Sequence, residues 1–526
     1  MAKKGKAKIT YTTLFADKTI NPKFDAALKG FAPMLGQRHP MYIGGEKIWS
    51  EAGEFEHRSP IDTSIIVGRF QIGTRNHAKE AIGAAKAGFE EWSATPWVKR
   101  VRTMEKFARL IDQRKFDIAV AITYEVGKNR LEALAECWEA IDAVKFYAKV
   151  MRKMSGYTTK MGPGGPGEHT LVLGKPFGVW PIISPFNFPF MLANGMALGA
   201  LITGNSVILK PTSEAPLTGL MLYQLYIDAG VPPGVVNFVT GPGGNFEDEF
   251  ANNPDVGGIA FTGSKAVGMR LYKRFHSEQP YPKPMVLETG SKNPTIVTSK
   301  ADVSKAVEGT VRAAYGYGGQ KCSATSRLYV QDGVKDELLA AFKARIEKIV
   351  VGDPRKEDVF MGPIINPAAV ETFQKAVSEA KQTGGKVLTG GNSLTTGDMA
   401  KGYYVTPTVI TDLPKDSRLL KEELFVPIVA VVEFNTVEEA IEKANATEYG
   451  LTAGIFSKDR TEVKKFFNGI KFGVTYANRS GGSTTGAWPG AQSFTGWKAS
   501  GATGRGVGSP YYLLNFTRDQ SQTTVI

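Results

Sequence analysis

Two cysteines occur in 526 residues, and one of them, Cys322, stands in the run Gly319-Gln320-Lys321-Cys322-Ser323-Ala324-Thr325. A thiol is nucleophilic as thiolate, so a reactive cysteine needs backbone N–H groups, a helix N-terminus or a nearby cation to lower its pKa. Lys321 and the small flanking residues allow this, although a lone cysteine reads equally well as a buried, inert side chain. Asn187, in Ser184-Pro185-Phe186-Asn187-Phe188-Pro189, directly follows the apolar segment Val179 to Ile183. An amide held rigidly at a strand end can donate to a developing oxyanion; alone, it is as readily an Asx turn. Glu288, in Leu287-Glu288-Thr289-Gly290, ends another apolar run and could serve as a general base, or be a structural acid. The segment Phe261-Thr262-Gly263-Ser264-Lys265 runs from a strand through Gly and Ser into a helix, a geometry whose free N–H groups favour an anion.

These residues need elements to hold them. Met104, Phe107, Ala108 and Ile111 recur at helical spacing. From about residue 177 short apolar runs alternate with helical stretches: Val207-Ile208-Leu209, a helix near 216–229, Val235 to Val239, and Gly258 to Phe261. Runs without polar alternation suit strands buried on both faces, hence a parallel sheet with crossover helices, a doubly wound dinucleotide-type unit. The alternation restarts after Glu288 with Pro294 to Val297, a helix in 301–314, Arg327 to Val330 and a helix carrying Leu339, Phe342, Ile346 and Ile349. Residues 288–292 therefore read as a junction, and clefts between domains are favoured ligand sites. Glycine-rich stretches at 155–175 and 479–509 predict loops, the second an active-site loop.

The chain is longer than one core supports, so at least two domains are expected. Its composition, 42% hydrophobic and 22% charged, is that of an ordinary globular protein. Two cysteines make no disulfide framework, and no Cys/His group has zinc-ligand spacing. No metal is expected. No run of about 18 apolar residues and no signal-peptide core appear, so a soluble, cytoplasmic protein without a membrane partner is expected. The net charge of +13 comes from lysines and arginines spread among acids, not from a basic stripe with stacking aromatics. That argues against nucleic acid and favours small anionic ligands.

In order and spacing, Ser-Pro-Phe-Asn-Phe-Pro, Leu209-Lys210-Pro211, Phe-Thr-Gly-Ser, Leu-Glu-Thr-Gly, Gly-Gln-Lys-Cys and Glu422-Glu423-Leu424-Phe425 resemble the aldehyde dehydrogenase superfamily over nearly the whole chain. The resemblance implies an α/β fold with two Rossmann-like doubly wound domains and a small β oligomerisation arm. It assigns 1–150 and 173–287 to a dinucleotide-binding domain, 288–478 to a catalytic domain, 151–172 and 505–526 to the arm, and 479–504 to a substrate loop. Cys322 matches the nucleophile, Asn187 the oxyanion donor and Glu288 the base that activates water. Lys210, Ser264, Glu423 and Phe425 match cofactor contacts. Ser213, three residues after Lys210, stands where NAD-preferring relatives carry Glu; a neutral side chain there removes repulsion of a 2′-phosphate, so NAD or NADP is expected. The polar, β-prone tail Gln520 to Ile526 matches the arm and implies a homo-oligomer, dimer or higher.

Within the superfamily the chain resembles the 1-pyrroline-5-carboxylate dehydrogenases, which oxidise L-glutamate γ-semialdehyde to L-glutamate. The supporting runs are His39 to Gly45, Tyr124-Glu125-Val126-Gly127-Lys128-Asn129, Glu139-Ala140-Ile141-Asp142, Cys322-Ser323-Ala324 and Thr485-Gly486-Ala487. By this resemblance Ser323, Gly486 and Ala487 take the substrate α-carboxylate, Phe188 and Phe494 sandwich its stem, and Glu139 and Lys321 line the same pocket. Departures are Val426 after Phe425, Thr495 and Trp497 where Gly and Phe are common, and a loop about three residues longer than usual. The sequence around Cys322 also resembles enzymes of 2-oxoglutarate semialdehyde, so another carboxylated or aliphatic aldehyde stays open as substrate. A cysteine hydrolase shares the thioester step, and a non-catalytic protein on this fold would be marked by loss of Cys, Glu or Asn, all of which are present.

Overall fold

The structure, a computed structural model, describes residues 19–480 and 488–526. Two seven-stranded sheets dominate. In the first, the strands run in the order Met285–Thr289, Ile259–Gly263, Val179–Ser184, Ser206–Pro211 and Val236–Phe238, all parallel, followed by the antiparallel pair Met41–Ile43 and Glu46–Ile48. Every residue of Ser206–Pro211 is buried, as a central strand covered by helices on both faces must be. The chain order reverses between Val179–Ser184 and Ile259–Gly263, and the crevice outside the carboxyl ends of the strands at such a reversal is where doubly wound sheets bind ligands.

The second sheet runs Lys386–Thr389, Thr408–Thr411, Ile428–Phe434, Thr325–Gln331, Asn293–Val297, Thr452–Phe456 and Val474–Ala477, parallel except for its first edge strand. The chain leaves the first sheet after Thr289 and enters the second at Asn293. A boundary at 287/288 therefore cuts a strand whose backbone is bonded to its neighbour through Thr289, and the crossing lies at 290–292.

A third, three-stranded antiparallel sheet pairs Thr158–Met161, Glu168–Pro176 and Thr517–Val525. The expected arm boundaries shift accordingly. Helix Arg130–Lys153 runs past 151, the middle strand extends to Pro176 rather than 172, and residues 512–516 form a short 3-10 turn buried in the core instead of joining the arm. Phe516 packs against Trp180, ring centroids 4.6 Å apart, which ties this turn to the first sheet. The glycine-rich stretch 155–175 is thus largely strand. Within 479–504, Trp497–Lys498 pairs with Tyr449–Gly450, and 481–487 lie outside the described residues.

Two long helices, Trp97–Val126 and Arg130–Lys153, form a hairpin whose turn needs Gly127 at φ +74°. Asn129 caps the second helix by accepting from the Glu132 N–H. That helix is apolar on its buried face but carries Glu132, Glu136 and Glu139 there or beside it, and buried carboxylates require partners.

Candidate active site

A cavity of about 640 Å³ opens at the carboxyl ends of the first sheet's strands and reaches the second sheet's nucleophile segment. Its size suits a small-molecule or cofactor site. Asn187, Glu288 and Cys322, from three distant segments, all line it. So do Lys210, Ser213, Ser264, Glu423 and Phe425, and Phe494 among the expected substrate contacts.

Cys322 follows helix Val303–Tyr315 and a turn in which Tyr317, Gly318 and Gly319 all adopt positive φ. Gly319 is required: a Cβ there would stand 2.7 Å from the Val426 carbonyl oxygen. Tyr317, a side chain in a left-handed conformation, is held by its hydroxyl donating to Val126 O at 2.7 Å. The thiol accepts from its own and the Ser323 N–H, yet burial, then Glu423 and Glu288, push its pKa well above the ordinary thiol value. The Lys321 ammonium, the cation that the sequence allows beside Cys322, lies 2.7 Å from both carboxylate oxygens of Glu132.

Asn187 sits just before helix Met191–Thr203. Among the described residues its side-chain amide makes no hydrogen bond, so it is left to face the cavity. The helix start is fixed instead by Glu136, whose Oε1 accepts from the Phe190 and Met191 N–H groups at 2.8 Å each. Oε2 of the same carboxylate accepts from Lys128 Nζ at 2.7 Å, both side chains being 0% exposed. The Lys128 ammonium also lies 3.4 Å from the Phe188 ring centroid, one residue beyond Asn187.

Glu288 is the penultimate residue of its strand. The Gly496 N–H donates to its carboxylate, but Oε2 is buried with no partner among the described residues. Desolvation raises its pKa to about 8. Residues 499–502 are stitched to this strand end by Thr289 N to Ser500 O and Ala502 N to Leu287 O, both at 3.1 Å.

The remaining wall is suited to a dinucleotide. Lys210 is buried, donates to Pro211 O at 3.1 Å with no ion pair among the described residues, and is lowered by desolvation to a pKa of about 8. Ser264 caps helix Lys265–Glu278, whose N-terminus faces the cavity. Ser213 is neutral, and the adjacent Glu214 accepts from Asn366 Nδ2 at 2.8 Å. Glu423 accepts from Ser291 N at 2.7 Å, and burial raises it to about 7. Phe425, at φ +58°, packs edge-on to Phe186 with ring centroids 5.8 Å apart.

The expected substrate set divides. Phe494 is on the cavity wall, whereas Phe188, Lys321, Ser323 and Glu139 are not among the residues lining it. The Phe188 ring centroid lies 3.4 Å from Lys128 Nζ and 5.9 Å from Lys321 Nζ. Glu139 has its pKa raised to about 8 by burial and then by Glu136, with no hydrogen bond among the described residues. Gly486 and Ala487 lie outside the described residues.

Helix Arg130–Lys153 bonds to four segments at or beside the site: Lys321 through Glu132, the Asn187 turn through Glu136, Trp488 through Asp142 at 2.8 Å, and Gly508 N through the Tyr147 hydroxyl at 2.9 Å. Of its carboxylates, Glu139 and Asp142 are singled out from the sequence but Glu132 and Glu136 are not. The signal was there, since carboxylates at 132, 136 and 139 recur at helical spacing among alanines and leucines.

Two doubly wound sheets, a cysteine, a carboxylate and an amide on one cavity, and an anion-favouring wall define an aldehyde dehydrogenase: residues 48–522 match the aldehyde dehydrogenase family, to which the chain belongs. It is 35% identical over 508 residues to a 1-pyrroline-5-carboxylate dehydrogenase of Anoxybacillus flavithermus, covering 95% of this chain and 96% of the relative. It is 34% identical to 1-pyrroline-5-carboxylate dehydrogenase 2 of Bacillus subtilis over 96% of each. Among solved structures, 1-pyrroline-5-carboxylate dehydrogenase from Thermus with bound NAD matches with a TM-score of 0.93 at 33% identity, covering 100% of both chains.

Proposed function

We propose that this enzyme oxidises L-glutamate γ-semialdehyde to L-glutamate with NAD or NADP. The observation that carries the chemistry is the convergence of Cys322, Asn187 and Glu288, whose Oε2 has no partner among the described residues, on one cavity. The substrate rests on the similarity to the 1-pyrroline-5-carboxylate dehydrogenases, supported by Cys322-Ser323-Ala324 and Thr485-Gly486-Ala487.

Cys322 Sγ adds to the aldehyde carbon, its proton passing to a base for which Glu288, titrating at about 8, is suited. The Asn187 amide and the Cys322 N–H donate to the oxygen as it becomes an anion, contributing most where charge is greatest. A nicotinamide dinucleotide held beside Cys322 would supply the hydride acceptor for this adduct. Cys322 is left as a thioester, and Glu288 takes a proton from water as the water attacks it, giving the acid and the free thiol. Lys210, the Ser264 helix end, Glu423 and Phe425 hold the dinucleotide; Ser323, Gly486, Ala487, Phe188, Phe494, Glu139 and Lys321 form the substrate end.

The first sheet is then the dinucleotide-binding domain and the second the catalytic domain. The arm's outer strand, Thr517–Val525, is paired on one side only, with Val525 and Ile526 at 70% and 89% exposure. An edge of this kind suits pairing with a second copy, so we include a homo-oligomer in the reading, with a cytoplasmic setting for this small-molecule chemistry. Steady-state rates with the semialdehyde and both cofactors test the assignment, and light scattering the assembly.

A further inference from the structure

We propose that Asn293 is a positioning residue for the nucleophile, aiming the Cys322–Ser323 peptide so that its N–H faces the thiol. The inference rests on Cys322 being the nucleophile. Asn293 opens the first strand of the second sheet and is 1% exposed. The pairing with Thr325–Gln331 slips between Asn293 and Pro294, where Asn293 faces Thr325 but Pro294 faces Arg327. Such irregularities re-aim side chains beside active sites.

Asn293 Nδ2 donates to the carbonyl oxygens of Cys322 at 2.7 Å and Ala324 at 2.9 Å, with Ser291 Oγ also at 2.9 Å. Its Oδ1 accepts from Thr452 N at 3.0 Å, and Thr452 Oγ1 donates to the intervening carbonyl, Ser323 O, at 3.2 Å. Three successive carbonyls of the nucleophile segment are thus held by one amide and the threonine it anchors. The amide's orientation is fixed, since carbonyls surround its nitrogen and an N–H meets its oxygen. In a planar trans peptide the C=O and N–H point oppositely. Drawing the Cys322 carbonyl toward Asn293 therefore sends the Ser323 N–H away from it, and the Cys322 and Ser323 N–H groups are what lower the thiol's pKa. The other ionisable groups facing the thiol are Glu423 and Glu288, both of which oppose the thiolate. The N–H donors are what favour it.

The test is alkylation of Cys322 by iodoacetamide in the full-length enzyme, followed by peptide mass spectrometry and residual dehydrogenase activity. Wild type is compared with Asn293→Asp, which places an acceptor against two carbonyls, and with Asn293→Ser, which shortens the side chain. The rising limb of the alkylation rate should move to higher pH by about one unit in Asn293→Asp, making alkylation about tenfold slower at a given pH along that limb. Asn293→Ser should lie between it and wild type, and it carries the test if the Asp variant does not fold. Melting temperature alone, the readout of a merely structural role, should not track the shift. Folded variants whose rates overlay wild type within about twofold overturn the inference. Alkylation of wild-type Cys322 that leaves dehydrogenation intact would instead remove Cys322 from its role, and this inference with it.

Discussion

Glu132 holds the ammonium of Lys321, one residue before Cys322, with both carboxylate oxygens at 2.7 Å. The cation nearest the thiol in sequence is therefore paired with a carboxylate of helix Arg130–Lys153. Burial and the charges of Glu423 and Glu288 then keep the resting thiol protonated. Alkylation of the cofactor-free enzyme should accordingly be slow at neutral pH and still rising near pH ~10, above the ordinary thiol pKa of about 8.5. A plateau below neutral pH would show a thiolate that this arrangement does not provide. Cys322→Ala should abolish NAD(P)H formation while leaving cofactor affinity intact, because Lys210, Ser264 and Glu423 are untouched.

Glu288→Gln should preserve a pre-steady-state burst of NAD(P)H and slow turnover, since hydride transfer precedes thioester hydrolysis. The pKa of Glu288 is raised to about 8, so the basic form grows as pH rises through that value. Turnover limited by hydrolysis should climb with pH and level off above it, and this limb should be absent in the Gln variant. Rapid-mixing traces without a burst would place Glu288 in an earlier step.

Lys128 and Glu136 are both fully buried, so removing one partner leaves the other charged in a dry site. Glu136→Leu should destabilise the protein by about 3–5 kcal/mol, and Lys128→Met combined with Glu136→Leu should recover a large part of that loss. Thermal melting compares the two directly. A double variant that melts no higher than the single one would mean that capping of Phe190 and Met191, not the charge balance, dominates.

With Ser213 neutral and Glu214 engaged by Asn366, NADP should be used with kcat/KM within about two orders of magnitude of NAD. Ser213→Glu should shift preference toward NAD through repulsion of the 2′-phosphate, on the order of 1–3 kcal/mol. Strict NAD use by wild type would contradict this.

Much of this arrangement is legible from local pattern. Val207-Ile208-Leu209 reads as a strand buried on both faces because such strands need no polar alternation, and the structure buries all of Ser206–Pro211. Asn187, Glu288 and Cys322 were recognisable by residue type and neighbours, and they share a cavity. What stayed hidden depends on partners far apart in sequence. Glu132 and Lys321 are 189 positions apart, and nothing in Gly319 to Thr325 discloses that the lysine is taken. Asn293 looks like an ordinary strand residue until the register slip turns its amide onto the carbonyls of Cys322 and Ala324. Within the expected arm, Tyr512, Leu513 and Phe516 are apolar and bury in the core, whereas the tail beyond them is polar.

The central claim is a carboxylated aldehyde bound at the Ser323 end of the site and oxidised at Cys322. Loss of a hydrogen-bonding group from a desolvated pocket costs about 1–3 kcal/mol per unpaired partner. The ratio of wild-type kcat/KM for L-glutamate γ-semialdehyde over butanal tests it most directly. We predict a ratio of at least about two to three orders of magnitude. A ratio near one would leave an aldehyde dehydrogenase standing and contradict the glutamate semialdehyde assignment.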